Sequence, residues 1–302
     1  MTVRTLRSDE IYRRITAAPG EKRDDIFRYE LMSPFQRKWD CYRIPLKAKT
    51  PGGYDIIMAS RMTGLLTPSK MTADTLRQTD MLSEDALWER CAKSVERSLA
   101  RFEEEGIDVP LKEYLFSLLL ADGDNPYTVM NEGYCGDGGI PGFIMAWLIP
   151  NESTLSRVHA ALAHETDHNV RFQFEKWHDD ITLGEMIVSE GLAENFATEL
   201  YGEELAGPWV KKTDRPTVDS IKGEIRANLG VQGLENLNAY LYGDDMAVLQ
   251  GLPPVGMPYC AGYACGYHLI RYFLDKTGMT AAQATILPAG EILSRSEGFW
   301  NE

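Results

Sequence analysis

The chain has 302 residues, 44% of them hydrophobic and 25% charged, with a formal net charge of −14. That length accommodates one large domain or two smaller ones, and the composition excludes collagen-like and intrinsically disordered classes. Charge is unevenly spread: residues 1–105 carry 19 Lys and Arg against 17 Asp and Glu, and the remainder 12 against 28, so the acidic second part argues against a nucleic-acid partner.

Residues 1–10 are charged and lack the apolar run and small-residue cleavage site of a secretory signal. No window approaches the roughly 18 apolar residues of a membrane span. The expectation is a cytoplasmic protein that does not engage membranes. Cys41, Cys91, Cys135, Cys260 and Cys265 are an odd, scattered set without CxxC spacing, which points to reduced structural thiols and away from a disulfide framework or a thiolate metal site.

In chain order, the first 80 residues mix short helical patterns with turn material such as Ala18-Pro19-Gly20 and Thr50-Pro51-Gly52-Gly53, and are expected to be mostly helical. Leu87, Cys91, Val95, Leu99 and Phe102 recur at helical spacing, and Gly106 stands at a stop position, predicting a long amphipathic helix from Ser83 to Glu105. Leu111–Leu120 is too apolar and short for a surface helix and reads as a buried strand. Residues 122–139 read as Gly/Asp/Asn-rich loop. Phe143–Ile149 is a second strand, closed by Pro150 and the natural edge for an extended peptide to pair with. Ser153 is positioned to cap a helix running to about Phe174, apolar nearly all round and therefore central. Thr182-Leu183-Gly184-Glu185 has the form of a capping box and opens a helix through Leu200, stopped near Gly202. Residues 206–258 show no clear pattern. A last clear helix spans about Tyr263 to Lys276.

The chemistry concentrates in His164-Glu165-Thr166-Asp167-His168. On a helix, residues four apart share a face, so both imidazoles reach one tetrahedral Zn²⁺ while Glu165 holds the attacking water as general base. A catalytic zinc needs a third protein ligand and one open position. Arg171 and Phe174 stand where an HExxHxxGxxH site has Gly and His, which excludes that class. On the following helix, Glu190 and Glu194 project from the apolar face made by Leu183, Met186, Ile187, Ala193, Ala197 and Leu200. Burying two carboxylates costs several kcal/mol unless a cation or donors receive them. Glu190 is assigned as the third ligand and Glu194 as the acceptor that orients a ligand histidine. His178, Asp179 and Asp180 are rival ligands, closer in sequence but in a polar connection.

Together, His164-Glu-x-x-His168 and Glu190-Gly-Leu-Ala-Glu194 make the chain resemble the gluzincin metallopeptidases. It is most similar to bacterial predicted zinc-dependent proteases grouped only as a domain of unknown function. The resemblance covers roughly Leu111–Leu287. It implies a zincin-like α+β fold, mostly helical with a small sheet beside a central HExxH helix. It also implies one Zn²⁺ per chain, a peptide or protein substrate, Glu190 as third ligand and Glu194 as support for a ligand histidine. Many gluzincins carry Tyr-x-x-Gly at the start of a downstream helix, whose phenol stabilises the oxyanion. Tyr263-Ala264-Cys265-Gly266 matches, with Tyr259, Tyr267 and His268 as neighbours able to take that role. No Gly-x-Met-x-Asn segment precedes the motif, so aminopeptidase specificity has no support. On this reading residues 1–105 form a mostly helical N-terminal region and 106–302 the metallopeptidase domain. The alternative is a zinc-binding protein without catalysis, its closed site stabilising the fold or engaging a partner.

Overall fold

Residues 1–301, which the computed structural model describes, form an α+β fold that is mostly helical with one four-stranded sheet. The chain divides into two compact units, one made of residues 1–96 and 111–162, the other of 97–110 and 163–302.

The first unit contains the sheet. Its strands β1 (Thr2–Thr5), β2 (Glu113–Leu120), β3 (Tyr134–Ile140) and β4 (Phe143–Leu148) lie in the order β1-β2-β4-β3. β2 runs parallel to both β1 and β4, and β3 pairs antiparallel with β4. Strands covered on both faces read as unbroken apolar runs, which is why EYLFSLLL and FIMAWL stand out in the sequence, and each is buried after its first residue. The expectation that Phe143–Ile149 offers a free edge to a peptide is overturned. β4 lies between β2 and β3, so its backbone groups are taken up on both sides. β3 falls in the stretch read as loop. Its YCGDGGI sequence has little strand propensity, and the strand arises because Pro141-Gly142, with Gly142 at φ +91°, folds it back onto β4.

Helix α1 (Ser8–Ala17) follows β1 and buries Ile11, Tyr12 and Ile15. The Tyr12 hydroxyl accepts a hydrogen bond from the Leu120 amide at 3.1 Å, tying the helix to the end of β2. Lys38, wholly buried, sets its Nζ 2.7 Å from Asp137 Oδ1 on β3. Helix α2 (Asp85–Glu104) matches the predicted amphipathic helix, and its last turns belong to the second unit.

Helix α3 (Glu152–Phe174) carries the histidine motif, with the residues from Ala163 onward in the second unit. Its cap differs from expectation. Asn151, not Ser153, serves: Asn151 Oδ1 accepts from the Thr154 amide and Thr154 Oγ1 from the Asn151 amide, at 3.0 and 3.1 Å. Helix α4 (Leu183–Tyr201) opens on the capping box, with Thr182 accepting from the Glu185 amide and Glu185 from the Thr182 amide. Apart from Glu185, every residue of α4 from Leu183 to Thr198 is buried, so α4 is the core of its unit. Phe196 on α4 stacks on Phe102 at 4.9 Å. Helix α5 (Ala261–Thr277) packs along α4, and α6 (Ala281–Thr285) follows it. The stretch without a sequence pattern is helical too, with segments Pro208–Lys211, Arg215–Ala227, Leu234–Tyr242 and Asp244–Leu249. All five cysteines are free thiols. Among the described residues no helix is long and apolar enough to cross a membrane.

Candidate metal centre

Three side-chain atoms converge between α3 and α4. His164 Nε2 and His168 Nε2 are 3.1 Å apart, His168 Nε2 lies 3.2 Å from Glu190 Oε2, and His164 Nε2 lies 3.4 Å from the same oxygen. Four ligands held 2.0–2.1 Å from a tetrahedral zinc stand about 3.3 Å from one another. The triangle therefore has the edge length of one face of such a tetrahedron, and His164, His168 and Glu190 form a buried group that could hold a metal ion.

The outer nitrogens of both rings are engaged. Glu194 Oε2 lies 2.8 Å from His164 Nδ1, and Ser189 Oγ lies 3.1 Å from His168 Nδ1. A carboxylate at His164 Nδ1 keeps the proton on that nitrogen, which leaves the Nε2 lone pair facing the centre of the triangle. Electron-rich atoms thus face each other across about 3 Å in a buried space, an arrangement that calls for a positive charge between them. In the absence of a cation a proton on the rings would supply that charge, and the ring electrostatics express the same demand. Burial alone would push the His164 ring down, yet hydrogen bonds to Glu190 and Glu194 hold it well above its ordinary range. His168 is likewise raised against burial, by the charge of Glu190. Glu190, which burial would push up, is drawn down to about 2 by His168 and His164.

Glu165 is buried beside the triangle on the same helix, 7% exposed. Glu194 is only 2% exposed and is met by two further donors, the Gly207 amide at 2.6 Å and the Trp209 indole at 2.7 Å. The Trp209 ring stands edge-on to His164, centroids 5.7 Å apart. Asp167, facing the other way, accepts from Thr285 Oγ1 on α6 at 2.6 Å, and burial pushes its carboxyl up to about 6. Arg171, where the excluded class has glycine, spends its guanidinium on the Thr285 and Leu287 carbonyls at 2.7 and 3.1 Å.

The rival ligands stay apart from this group. His178 is exposed, its ring nitrogens 2.8 Å from Asp180 and 3.3 Å from Glu185. Of the oxyanion candidates, Tyr267 receives Arg271 Nη2 on its hydroxyl at 2.8 Å. Tyr259 lies under Lys212. His268 is half-buried, with burial pushing its pKa down. Tyr263 is half-buried at the start of α5, its hydroxyl 3.5 Å from that of Tyr242. Cys260, just before α5, lies within electrostatic reach of Glu190. Burial pushes the Cys260 thiol up to about 12, a Tyr259 hydrogen bond opposes this, and the Glu190 charge adds to the rise.

The chain is thus an α+β protein with a buried His–His–Glu group on two adjacent helices that could hold a metal ion. Residues 87–294 match the family described as "Predicted Zn-dependent protease (DUF2268)", and the chain belongs to that family. A relative from Bacillus subtilis (strain 168), named only as the uncharacterized protein YjfC, is 38% identical over 287 residues, 95% of each chain. No solved structure matches significantly. Ser189, Gly207 and Trp209 were invisible to sequence reasoning. Ser189 merely precedes Glu190, and Gly207-Pro208-Trp209 falls in the patternless stretch.

Proposed function

We propose that the chain is a zinc metallopeptidase of the gluzincin type with a zincin-like active site. The observation that carries this reading is the triangle of His164 Nε2, His168 Nε2 and Glu190 Oε2, with edges of 3.1 to 3.4 Å, and Glu165 next to its first corner. These residues would hold one zinc ion. When bound, zinc acidifies a water and polarises a carbonyl oxygen as a Lewis acid.

Each residue then has one task. His164 and His168 present neutral Nε2 lone pairs, and Glu190 supplies the anionic ligand. Three protein ligands leave a fourth position for water or substrate, as in catalytic rather than structural sites. Glu165 accepts the proton of the attacking water and returns it to the leaving amine, a general acid–base step worth roughly 10²–10⁴ in rate. Glu194 holds the His164 tautomer. Tyr263 donates its phenolic proton toward the developing oxyanion. The substrate is a peptide or protein, and the site acts in the cytoplasm.

Elemental analysis of the purified wild type is expected to give about one zinc per chain, little in Glu190→Ala, and an undiminished amount in Glu165→Gln. Cleavage of fluorescently quenched peptide mixtures should be lost in Glu165→Gln. Absence of zinc from the wild type overturns the metal reading, and full activity in Glu165→Gln overturns the base assignment.

A further inference from the structure

A buried carboxylate can point in several directions unless its lone pairs are fixed, and an anion without donors is costly in the protein interior. Glu194 receives three donors from two separate parts of the second unit. His164 Nδ1 lies 2.8 Å from Oε2, the Trp209 indole nitrogen 2.7 Å from that same oxygen, and the Gly207 amide 2.6 Å from Oε1. Both oxygens are therefore pinned, and Oε2 is shared between a ligand histidine and an indole. Gly207 is fitted to this arrangement. A Cβ there would stand 2.1 Å from the Trp209 ring, so any side chain would drive the indole off its place. Pro208 is the first residue of the short helix Pro208–Lys211, and its fixed φ sets the turn between the two donors.

We infer that Gly207 and Trp209 form a clamp that fixes the Glu194 carboxylate, and through it the tautomer and orientation of the His164 ring. Trp209 is thus a positioning residue for the metal. The inference rests on the metal reading of His164, His168 and Glu190. Trp209 has no direct part in bond cleavage, since its indole contacts the carboxylate behind the ligand. Its ring edge against His164 restricts rotation of the imidazole in addition. Outer partners of this kind typically alter metal affinity 10–100-fold, and Trp209→Phe keeps an aromatic ring while removing the indole donor together with part of the bicycle's volume.

The experiment is a zinc competition titration against a chromophoric chelator on full-length wild type, Trp209→Phe and Gly207→Ala, with thermal unfolding of each recorded in EDTA. Zinc affinity of the folded protein is expected to fall roughly 10–100-fold in both variants, whatever the lost donor costs the zinc-free unfolding midpoint. A purely structural Trp209 would move the midpoint and leave the affinity of the folded protein unchanged. Equal affinity in wild type and Trp209→Phe overturns the clamp and leaves the metal reading intact. If the wild type itself binds no zinc, the metal reading fails. The clamp is then decided by the Trp209 indole resonance in ¹H–¹⁵N spectra of zinc-free protein. A shift of that resonance in Glu194→Gln supports the contact, and an unchanged resonance overturns it.

Discussion

Gly191 and Gly266 meet backbone to backbone where α4 crosses α5. A Cβ on Gly191 would lie 2.2 Å from the Gly266 carbonyl oxygen, and a Cβ on Gly266 would lie 2.1 Å from that of Ile187. Asn195 holds the crossing from one side, donating through Nδ2 to the Gly191 and Tyr267 carbonyls at 2.8 and 3.0 Å. The glycine beside Glu190 and the glycine three residues after Tyr263 are therefore two halves of one contact, and that contact sets how closely the helix bearing Tyr263 approaches the helix bearing Glu190.

Alanine at either glycine forces the helices apart. Gly191→Ala and Gly266→Ala are each expected to lower stability by about 1–3 kcal/mol, the usual cost of overpacking, and to reduce zinc occupancy because Glu190 moves with its helix. Urea denaturation and metal analysis check both, and a variant as stable as wild type would show that the crossing relaxes freely.

Ser189 faces His168 Nδ1 at 3.1 Å. Ser189→Ala is expected to weaken metal binding about tenfold while Ser189→Thr, which keeps the hydroxyl, recovers part of it. Competition titration separates the two, and identical affinities in all three proteins would remove Ser189 from the site's support.

In the first unit, Asp137 is the counter-ion of the fully buried Lys38. Burial pushes its carboxyl up, but the Lys38 charge and hydrogen bond outweigh that and hold it below its ordinary range. A depressed carboxyl contributes stability above its unfolded value, about 3.9, and loses it as pH falls through the lower folded value. Asp137→Asn leaves the Lys38 charge uncompensated, so it should destabilise by about 3–5 kcal/mol at neutral pH. Its deficit against wild type should shrink below about pH 4. Urea midpoints measured from pH 7 down to pH 2 give the test; a deficit independent of pH contradicts it.

Burial pushes the thiols of Cys91, Cys260 and Cys265 up to about 12, Cys135 is buried, and Cys41 is exposed. A thiol-reactive disulfide reagent at pH 8 is therefore expected to titrate one group per native chain rapidly, namely Cys41, with the others reacting on unfolding. Loss of the rapid phase in Cys41→Ser completes the assignment.

The long elements were legible because each satisfied a periodic rule: α2 through its amphipathic spacing, β2 and β4 through continuous apolar runs, and α4 through its capping box. The carboxylates Glu190 and Glu194 were legible because charged residues on an apolar helix face need a reason. β1 was missed because TVRT is exposed or half-exposed along its length and forms by pairing with residues far along the chain. β3 was missed because tertiary pairing overrides the weak propensity of its glycines. The Glu194 clamp was missed because an indole and an amide acting through space leave no periodic trace.

The parallel pairing of β1 with β2 joins Thr2 to Glu113. At a synthesis rate of roughly 5–20 residues per second, β1 leaves the ribosome on the order of ten seconds before its partner exists. During that interval its row of amides and carbonyls is open to any other strand that passes. TVRT carries Arg4 among residues that are never wholly covered, and a short, polar, charged strand is poor material for such mispairing. The same features that made this segment unreadable as a strand protect it during synthesis.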